Sequence, residues 1–410
     1  MRVAIPESRR MVFLYGAAGA VFATIGARGL TVPLYAHQLG ANRFEVGALF
    51  AVSTIAAAAL SLPSGVLVDR FGARTLLGIS LVITAGAFVA TALTSTVPPL
   101  FAWQVLTGLA AGIQQAALFS AVTESVSRSR LGRAMGWLTL SMQVGFFVGP
   151  AAAGIALSWI DLRADIALTT VALLLTVPGA IATSNTTQRS GAGLSIRGPL
   201  RALMSQPAFA QVTVGLIGVT LMWGTLGAFL PVFGKEALRL PSSQVGYLLA
   251  LQAVVNGASR IPAGRLVDAV HERWRIVAAG GVVWSVAAVV LSHTTGFLAP
   301  ALVLMIGTPF MAAAFVTIGV IFGELSSHST RGVTMGMYGT VLFAGLSAGP
   351  LLFGPIVQNA GYAAGFTACS IAAVALLVGM AAMQAPWASR RPAAAPRGDS
   401  ETQAAATRRA

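Results

Sequence analysis

Twelve long apolar segments run through this chain of 410 residues, and they limit its fold more than any other feature. A helix needs about 20 mostly apolar residues to cross a hydrocarbon layer of about 30 Å, and backbone inside lipid must satisfy its own hydrogen bonds. These segments are too long for the strands of a membrane barrel. The sequence therefore predicts an all-α membrane protein. Its twelve transmembrane helices are expected at residues 11–36, 45–67, 76–97, 99–122, 136–158, 164–183, 208–233, 244–266, 276–294, 297–322, 334–357 and 362–384.

The distribution of positive charge predicts how the chain is oriented. Only 9% of the residues are charged, and the net charge is +14. With the N-terminus taken as cytoplasmic, 21 of the 26 Lys and Arg residues fall on the cytoplasmic side and Arg28 falls inside a helix. The other four are Arg43, Arg163, Lys235 and Arg239. Because cytoplasmic loops carry such an excess, we expect a multi-pass protein of the plasma (inner) membrane with both termini in the cytoplasm, and no nucleic-acid partner.

The chain contains an internal repeat. Residues 45–69 and 244–268 align at an offset of 199 without a gap, and ten of the 25 positions are identical, among them Asp69 and Asp268. Low-complexity coincidence explains shared alanines and leucines, but not a shared acid in register. Six helices repeated once keep the same orientation, because six is even. The repeat therefore predicts two parallel-repeated six-helix bundles.

The expected domain organisation follows from the repeat and from two polar stretches. The stretch between the bundles is rich in Gly, Ser and basic residues, which is typical of a linker. The last 25 residues have the composition of a disordered segment. The predicted divisions are a cytoplasmic N-terminus (1–10), an N-terminal bundle (11–183), a cytoplasmic linker (184–207), a C-terminal bundle (208–385) and a disordered cytoplasmic tail (386–410).

Each bundle carries the same helix-weakening motif inside a long apolar segment. Glycines four residues apart share one helix face and let another backbone approach closely, and a proline bends its helix. We expect these residues to form a close helix contact between the two bundles, which would serve as a pivot. They are Gly145, Gly149, Pro150 and Gly154, with copies at Gly345, Gly349, Pro350 and Gly354.

Three motifs resemble those of one transporter family. Residues 65–74, GVLVDRFGAR, match six positions of the signature G-x-L-x-D-R-x-G-x-R, which lies between the second and third helices of the major facilitator superfamily. Residues 264–273 repeat this signature in degraded form, and residues 145–154 resemble the fifth-helix motif of the family's exporters. The chain thus resembles the drug-exporter-like branch of that superfamily over residues 11–384. The resemblance implies the major facilitator fold, transport by alternating access and a functional monomer.

The loop signature implies a conformational latch at the cytoplasmic face. In the resembled family this loop holds one state closed through charges that separate in the other state. Gly65 is expected to let the second helix pack closely, and Gly72 to adopt the positive φ of a tight turn. The latch residues are Gly65, Asp69, Arg70, Gly72, Arg74, Glu124, Arg130, Arg133, Asp268 and Arg273.

Polar side chains on several apolar helices predict a central substrate cavity. Thr24, Arg28, Thr31 and Tyr35 follow one face of the first helix, and a charge so deep in lipid should face protein or water. Each Gln or Asn on its own has a simpler explanation, which is an interhelical hydrogen bond. Together they favour a cavity lined by helices 1, 4, 5, 7 and 8. The remaining lining residues are Gln104, Gln115, Gln143, Trp223, Gln252 and Asn256.

The residues provide no catalytic, metal or cofactor site. Cys369 is the single cysteine, the four histidines are scattered without ligand spacing, and no clustered nucleophile and base occurs in the bundles. An enzyme is therefore not expected. A membrane sensor is not expected either, because no soluble signalling domain accompanies the bundles.

We expect a secondary active transporter in the lipid bilayer that exports a small organic compound. The resemblance makes protons the expected coupling ion, although no Asp or Glu lies near the middle of a segment. Gln104 stands where the family's fourth-helix motif often has Arg. An uptake permease or symporter is the alternative, and Arg28 would suit an anionic solute.

Overall fold

A computed structural model describes residues 7–126, 130–176, 197–325 and 331–383. These residues form helices and connecting turns, without a β-strand among them. The first half of the chain contains six helices: α1 (Glu7–Gln38), α2 (Arg43–Phe71), α3 (Ala73–Leu93), α4 (Val97–Ser125), α5 (Leu131–Ala156) and α6 (Leu162–Leu174).

The second half repeats this arrangement after a short connecting helix. Its helices are α7 (Arg197–Met204), α8 (Pro207–Glu236), α9 (Ser242–Ala269), α10 (Arg273–Ser292), α11 (Leu298–Glu324) and α12 (Arg331–Ala382). Gly361, with φ of 87° and ψ of 173°, breaks α12. We therefore call residues 331–360 α12a and residues 362–382 α12b. With α7 left aside, these are the twelve helices that the apolar segments predict.

The connecting helix α7 is a feature that the linker composition does not predict. Arg201 lies exposed on it, whereas Leu203 is buried and joins the apolar core of the second half. The predicted linker (184–207) therefore includes a helix of about two turns that packs on the bundle. The tail (386–410) and residues 177–196 lie outside the described residues.

Nine helices in the described part of the chain are long and apolar enough to cross a membrane. One of them, the 50-residue stretch Val333–Ala382, provides two spans because of the break at Gly361. α6 is described over 13 residues only, and the middle of α9 is polar, so neither belongs to the nine. The chain is an integral multi-pass membrane protein.

Local signals set several helix boundaries. Asn42 and Glu45 form a capping box at the start of α2, in which each side chain accepts a hydrogen bond from the other residue's backbone N–H. Asp161 accepts a hydrogen bond from the backbone of Ala164 and so begins α6. Gly72 separates α2 from α3 with φ of 83°, the positive value that the sequence predicts for this turn.

The two halves meet along two pairs of helices. Within the first half α1 packs on α5, and α4 packs on α2 and α3; within the second half α8 packs on α12a, and α11 on α9 and α10. Between the halves α2 lies along α12a, and α5 lies along α9. In the repeat α2 corresponds to α9 and α5 to α12a, so the two contacts are related by the internal pseudo-symmetry.

The two ends of this bundle carry different features. We call the end with residues 65–74 and 264–273 the motif end. The opposite end carries Arg43, Glu236 and Tyr362, and we call it the Glu236 end.

Candidate functional site

At the motif end the structure places most of the predicted latch residues on the surface. Gly65 differs from its expectation, because a side chain added there would meet nothing within 4 Å, so this glycine is not needed for close packing. The side chains of Asp69 and Glu124 lie outside the described structure, although both positions are helical. Arg70, Arg130, Arg133 and Asp268 are exposed, and Arg74 and Arg273 are half-buried.

The second half forms an ion pair at the motif end that the loop signature alone does not reveal. Arg273, at the start of α10, pairs with Glu324, at the end of α11. In the repeat these residues correspond to Arg74 and Glu124. The internal repeat could have identified Glu324, because this residue lies 200 positions after Glu124, which is the offset of the repeat in this region. The pair therefore supports the expectation that Arg74 and Glu124 belong to the same device in the first half.

The glycine motif packs helices within each half. A methyl group on Gly145 or Gly149 would overlap the backbone of α1, at the carbonyl oxygens of Gly19 and Ala23 respectively. In the second half Gly349 meets the carbonyl oxygen of Leu221 on α8 in the same way, and Gly345 meets the Thr220 side chain of that helix. The expectation that these four glycines lie at the contact between the bundles is therefore wrong. Their spacing predicts close packing, but it does not say which helix is the partner.

The last part of the motif does reach the other half. A methyl group on Gly154 would lie 3.0 Å from Cα of Gly246 on α9. A methyl group on Gly246 would in turn lie 2.6 Å from the carbonyl oxygen of Pro150. The same holds for the copy, because a methyl group on Gly354 would lie 3.0 Å from the ring of Phe44 on α2.

Pro350 also faces the other half. A methyl group on Gly47 of α2 would lie 3.3 Å from Cβ of Pro350. Each motif thus joins two contacts, one inside its own half and one between the halves.

Arg28 points into a small pocket inside the first half. Helices α1, α3, α4 and α6 enclose this pocket, and its polar lining consists of Thr24, Arg28, Thr84, Thr107 and Gln114. The free space is about 10 Å³, which is room for about one water molecule. No carboxylate of the described residues lies within 4 Å of the Arg28 guanidinium. In this conformation the pocket does not admit an organic solute.

Other residues of the predicted first-helix stripe are held by structural hydrogen bonds. Thr24 and Thr31 each donate to a backbone carbonyl of their own helix. Tyr35 is buried, donates to the carbonyl of Thr94 at 2.5 Å and accepts from Nε of Arg163 at 2.8 Å. Tyr35 therefore ties α1 to the ends of α3 and α6 and does not line a central cavity.

The glutamines of α4 also differ from their prediction. Gln104 is buried, and its side-chain nitrogen has no hydrogen-bond partner in the described structure. Gln115 is exposed and is absent from the Arg28 pocket. Its neighbour Gln114 takes that place and donates to Thr84 Oγ1 at 2.9 Å. A shift of one residue turns a helical side chain by about 100° around the axis, which is why the sequence pattern selected the wrong glutamine.

A second polar cluster lies at the contact between the halves. Gln143 of α5 donates to Asn256 Oδ1 of α9 at 3.3 Å, so a hydrogen bond joins the two halves. Arg260 Nε donates to the same oxygen at 3.3 Å. Gln252 lies one turn before Asn256 and is partly exposed. Trp223 of α8 is partly exposed, with its ring 5.2 Å from that of Phe315 on α11.

The position of Arg260 changes the number of Lys and Arg residues on the cytoplasmic side. The 21 residues counted on the cytoplasmic side include Arg260, although the predicted helix at 244–266 contains it. The structure places Arg260 inside α9, nine residues before that helix ends at Ala269. The sequence does contain a signal for it. Gln252, Asn256 and Arg260 are spaced four residues apart and so share one helix face.

Glu236 joins both halves at its end of the bundle. Its carboxylate accepts from Arg43 Nε at 2.7 Å and from the Tyr362 hydroxyl at 3.0 Å, and it lies 3.4 Å from His37 Nδ1. The Arg43 guanidinium stacks 4.7 Å from the centre of the Tyr362 ring, and the Arg43 backbone N–H donates to Gln358 at 2.9 Å. Charged and aromatic groups from α1, α2, α8 and α12 thus close this end.

Asp165 is a buried acid at the first turn of α6. It is 1% exposed, and its Oδ2 has no hydrogen-bond partner in the described structure. The sequence places it correctly at a helix end but does not predict its burial. The other acids whose side chains the structure describes are half-buried or exposed.

Comparisons with known proteins agree with this architecture. The model of the Major Facilitator Superfamily matches residues 13–318 and, in a second match, residues 212–409. An uncharacterized MFS-type transporter of Methanocaldococcus jannaschii is 22% identical over 361 residues, which cover 83% of this chain and 90% of that protein.

Solved structures of low sequence identity share the fold. A mutant of the nucleoside transporter NupG superimposes with a TM-score of 0.79 at 14% identity, covering 92% of this chain and 100% of that chain. A bacterial homolog of the human lysosomal transporter Spinster, inward-facing and unoccupied, gives 0.72 at 14% identity, covering 93% and 97%. The human organic anion transporter MFSD10 gives 0.64 at 16% identity, covering 92% and 100%.

Proposed function

The chain belongs to the major facilitator superfamily, and we propose that this membrane transporter exports a small organic compound by alternating access. The observation that carries the proposal is the pseudo-symmetric contact of the halves along α2–α12a and α5–α9. Two bundles that meet in this way can rock about their shared contacts while a solute binds between them. The resemblance of residues 145–154 to the exporters' fifth-helix motif supports the direction.

We further propose that the transporter works as a monomer in the plasma (inner) membrane, with both termini in the cytoplasm. The excess of Lys and Arg at the motif end supports this orientation, and moving Arg260 into α9 leaves the excess intact. Under this orientation the Glu236 end faces outward and is closed in the structure.

Proton antiport is the coupling that we propose for export. Asp165 is the candidate carrier of the coupling proton, because it is the fully buried acid among the described residues and one of its oxygens has no partner. A buried carboxyl group that gains access to water in one state can bind and release a proton as the state changes.

Uptake of an anionic solute is the alternative function. Arg28 is a cation inside the first half without an acid beside it in the described structure. Its burial costs about 2.5–3.5 kcal/mol on insertion scales, which a bound anion would offset. The neighbour MFSD10, named an organic anion transporter, shares only the fold. The small volume of the Arg28 pocket in this conformation leaves no room for an organic anion beside Arg28, so this function stays the alternative.

Solute flux in proteoliposomes tests the proposed function. Purified protein would be reconstituted in both orientations with a pH-sensitive dye inside, and a panel of small organic compounds would be added. Export with proton antiport predicts compound-dependent proton flux that an uncoupler abolishes. Solute movement without proton flux would remove the antiport, and movement of no compound would remove the transporter proposal.

The latch at the motif end gives a separate prediction. Asp69→Asn is expected to lower the transport rate at least tenfold while membrane abundance stays near that of the native protein, because it removes a switching charge and keeps the side-chain volume. Asp268→Asn, the matched control, should reduce transport less, since its copy of the motif is degraded, with Ala269 and His271 in place of the motif's Arg and Gly. Equal rates for the native protein and Asp69→Asn, measured in the same proteoliposomes, would contradict a latch role for this acid.

A further inference from the structure

Arg260 carries a positive charge into the middle of the membrane-spanning part of α9. Asn256 is at the midpoint of that helix (Ser242–Ala269), and Arg260 lies four residues beyond it, about 6 Å along the axis. A helix-borne cation at this depth is costly unless it faces water, a polar group or an anion. Arg260 is half-buried and lies at the contact between the halves, next to the bond between Gln143 and Asn256.

The guanidinium of Arg260 is only partly satisfied by the protein. Its Nε donates to Asn256 Oδ1, an oxygen that already accepts from Gln143. No hydrogen bond or ion pair of the described residues uses its two terminal nitrogens, and no described carboxylate lies within 4 Å. A guanidinium presents its donors as a planar fork that fits two oxygens of a carboxylate or phosphate. The unused edge of Arg260 therefore suits an oxyanion.

Aromatic side chains continue from Arg260 across the second half. The Tyr338 side chain of α12a lies near the Arg260 guanidinium. The Tyr338 ring lies 6.2 Å from that of Phe315, and the Phe315 ring lies 5.2 Å from that of Trp223, both in edge-to-face geometry. All three rings belong to half-buried residues. They form an apolar wall beside the cation, which suits a flat hydrophobic body.

We propose that Arg260 is the anion-binding residue of the solute site and that the transported compound is a small aromatic carboxylate or a similar organic oxyanion. The inference rests on the proposed transport function and names its substrate class. The oxyanion binds the terminal nitrogens of Arg260, and the ring packs against Tyr338, Phe315 and Trp223. Gln143 supplies a contact from the first half, so that both halves hold the solute.

Binding to the purified full-length protein tests this site without a need for transport. Isothermal titration would compare 2-naphthoate with 2-naphthamide, which has the same shape and no charge. The native protein is expected to bind the carboxylate at least tenfold more tightly than the amide. Arg260→Gln should remove that preference by weakening 2-naphthoate binding at least tenfold while leaving 2-naphthamide unchanged. Arg260→Lys should keep part of the preference, since it keeps the charge but loses the planar fork.

Arg265→Gln serves as the matched control, because it makes the same change on the same helix at an exposed position. It should keep the native preference for the carboxylate. Arg28→Gln removes the buried cation of the first half and tests the alternative anion site there. If Arg260→Gln does not fold, the preference of the native protein and its partial retention in Arg260→Lys still decide the question.

Several results would overturn the site. These are equal affinity of the native protein for the two probes, no measurable binding of 2-naphthoate, and an unchanged preference in Arg260→Gln. A preference lost in Arg28→Gln would move the anion site to the first half. Binding through Arg260 without solute flux would support the anion site and contradict the transport proposal. Equal flux of neutral and anionic compounds would contradict the anion site alone.

Discussion

Gly149→Ala is expected to lower the stability of the protein by about 1–3 kcal/mol, and Gly149→Leu to abolish its accumulation in the membrane. The new methyl group would overlap the carbonyl oxygen of Ala23 and lie 2.9 Å from the backbone nitrogen of Ala27. Both atoms belong to the backbone of α1, which cannot rotate away as a flexible side chain can. Helices α1 and α5 would have to separate, and the loss of contact would extend along both.

A glycine on the same helix provides the control. A methyl group on Gly136 would meet nothing within 4 Å, so Gly136→Ala should be neutral or slightly stabilising because alanine favours helix. Gly349→Ala should repeat the loss in the second half, since its methyl group would overlap the carbonyl oxygen of Leu221. The measurement is thermal unfolding in detergent, followed by size-exclusion chromatography. Similar melting of Gly149→Ala and Gly136→Ala would contradict the packing described here.

The sequence predicts the helices well because lipid imposes a simple rule. Each apolar segment must satisfy its backbone internally, so length and hydropathy alone locate the spans. The repeat at offsets of 199 and 200 predicts the two bundles, and Gly72 has the positive φ expected of it. These features depend on local composition or on comparison of the chain with itself.

The partners of individual side chains depend on how helices are rotated, which the sequence does not specify. Gln114 and not Gln115 lines the Arg28 pocket, and Gly149 packs on α1 and not on the other half. The cytoplasmic charge count includes Arg260, although the predicted helix at 244–266 contains it. Its four-residue spacing from Asn256 places it on the same face of that helix.

The cluster at the Glu236 end could not be predicted from the sequence. Its ion pair joins Arg43 and Glu236, which are separated by 193 positions, and no motif marks either residue. Tyr362 enters because Gly361 breaks α12 and starts α12b beside them. Only the packing of the two halves brings these groups together.

Glu236→Gln is expected to open the Glu236 end and to shift the conformational equilibrium by roughly five- to thirtyfold. The substitution removes the charge that Arg43 and His37 face, although the amide oxygen still accepts a hydrogen bond from Tyr362. The Arg43 and Glu236 side chains are 34% and 21% exposed, so water screens the pair, and we assign it about 1–2 kcal/mol. A state closed at this end loses that energy, whereas a state open at this end does not.

A neighbouring acid gives the matched control for this variant. Glu45 lies at the same end, but its carboxylate accepts from Asn42 within the capping box of α2, inside the first half. Glu45→Gln preserves the box, because glutamine serves in the same position. Glu45→Gln should leave both the conformation and the transport rate unchanged. This control separates a general effect of removing an acid from this end from the specific loss of the contact between the halves.

Two interspin distances, measured by double electron–electron resonance with and without Glu236→Gln, test most directly whether the halves alternate. Spin labels at Gln38 and Asn359 report on the Glu236 end, and labels at Thr123 and Met335 report on the motif end, all four being exposed positions. The buried native Cys369 would first be replaced by alanine. Alternating access predicts that Glu236→Gln lengthens the 38–359 distance and shortens the 123–335 distance. Unchanged distances, or two distances that change in the same direction, would contradict it.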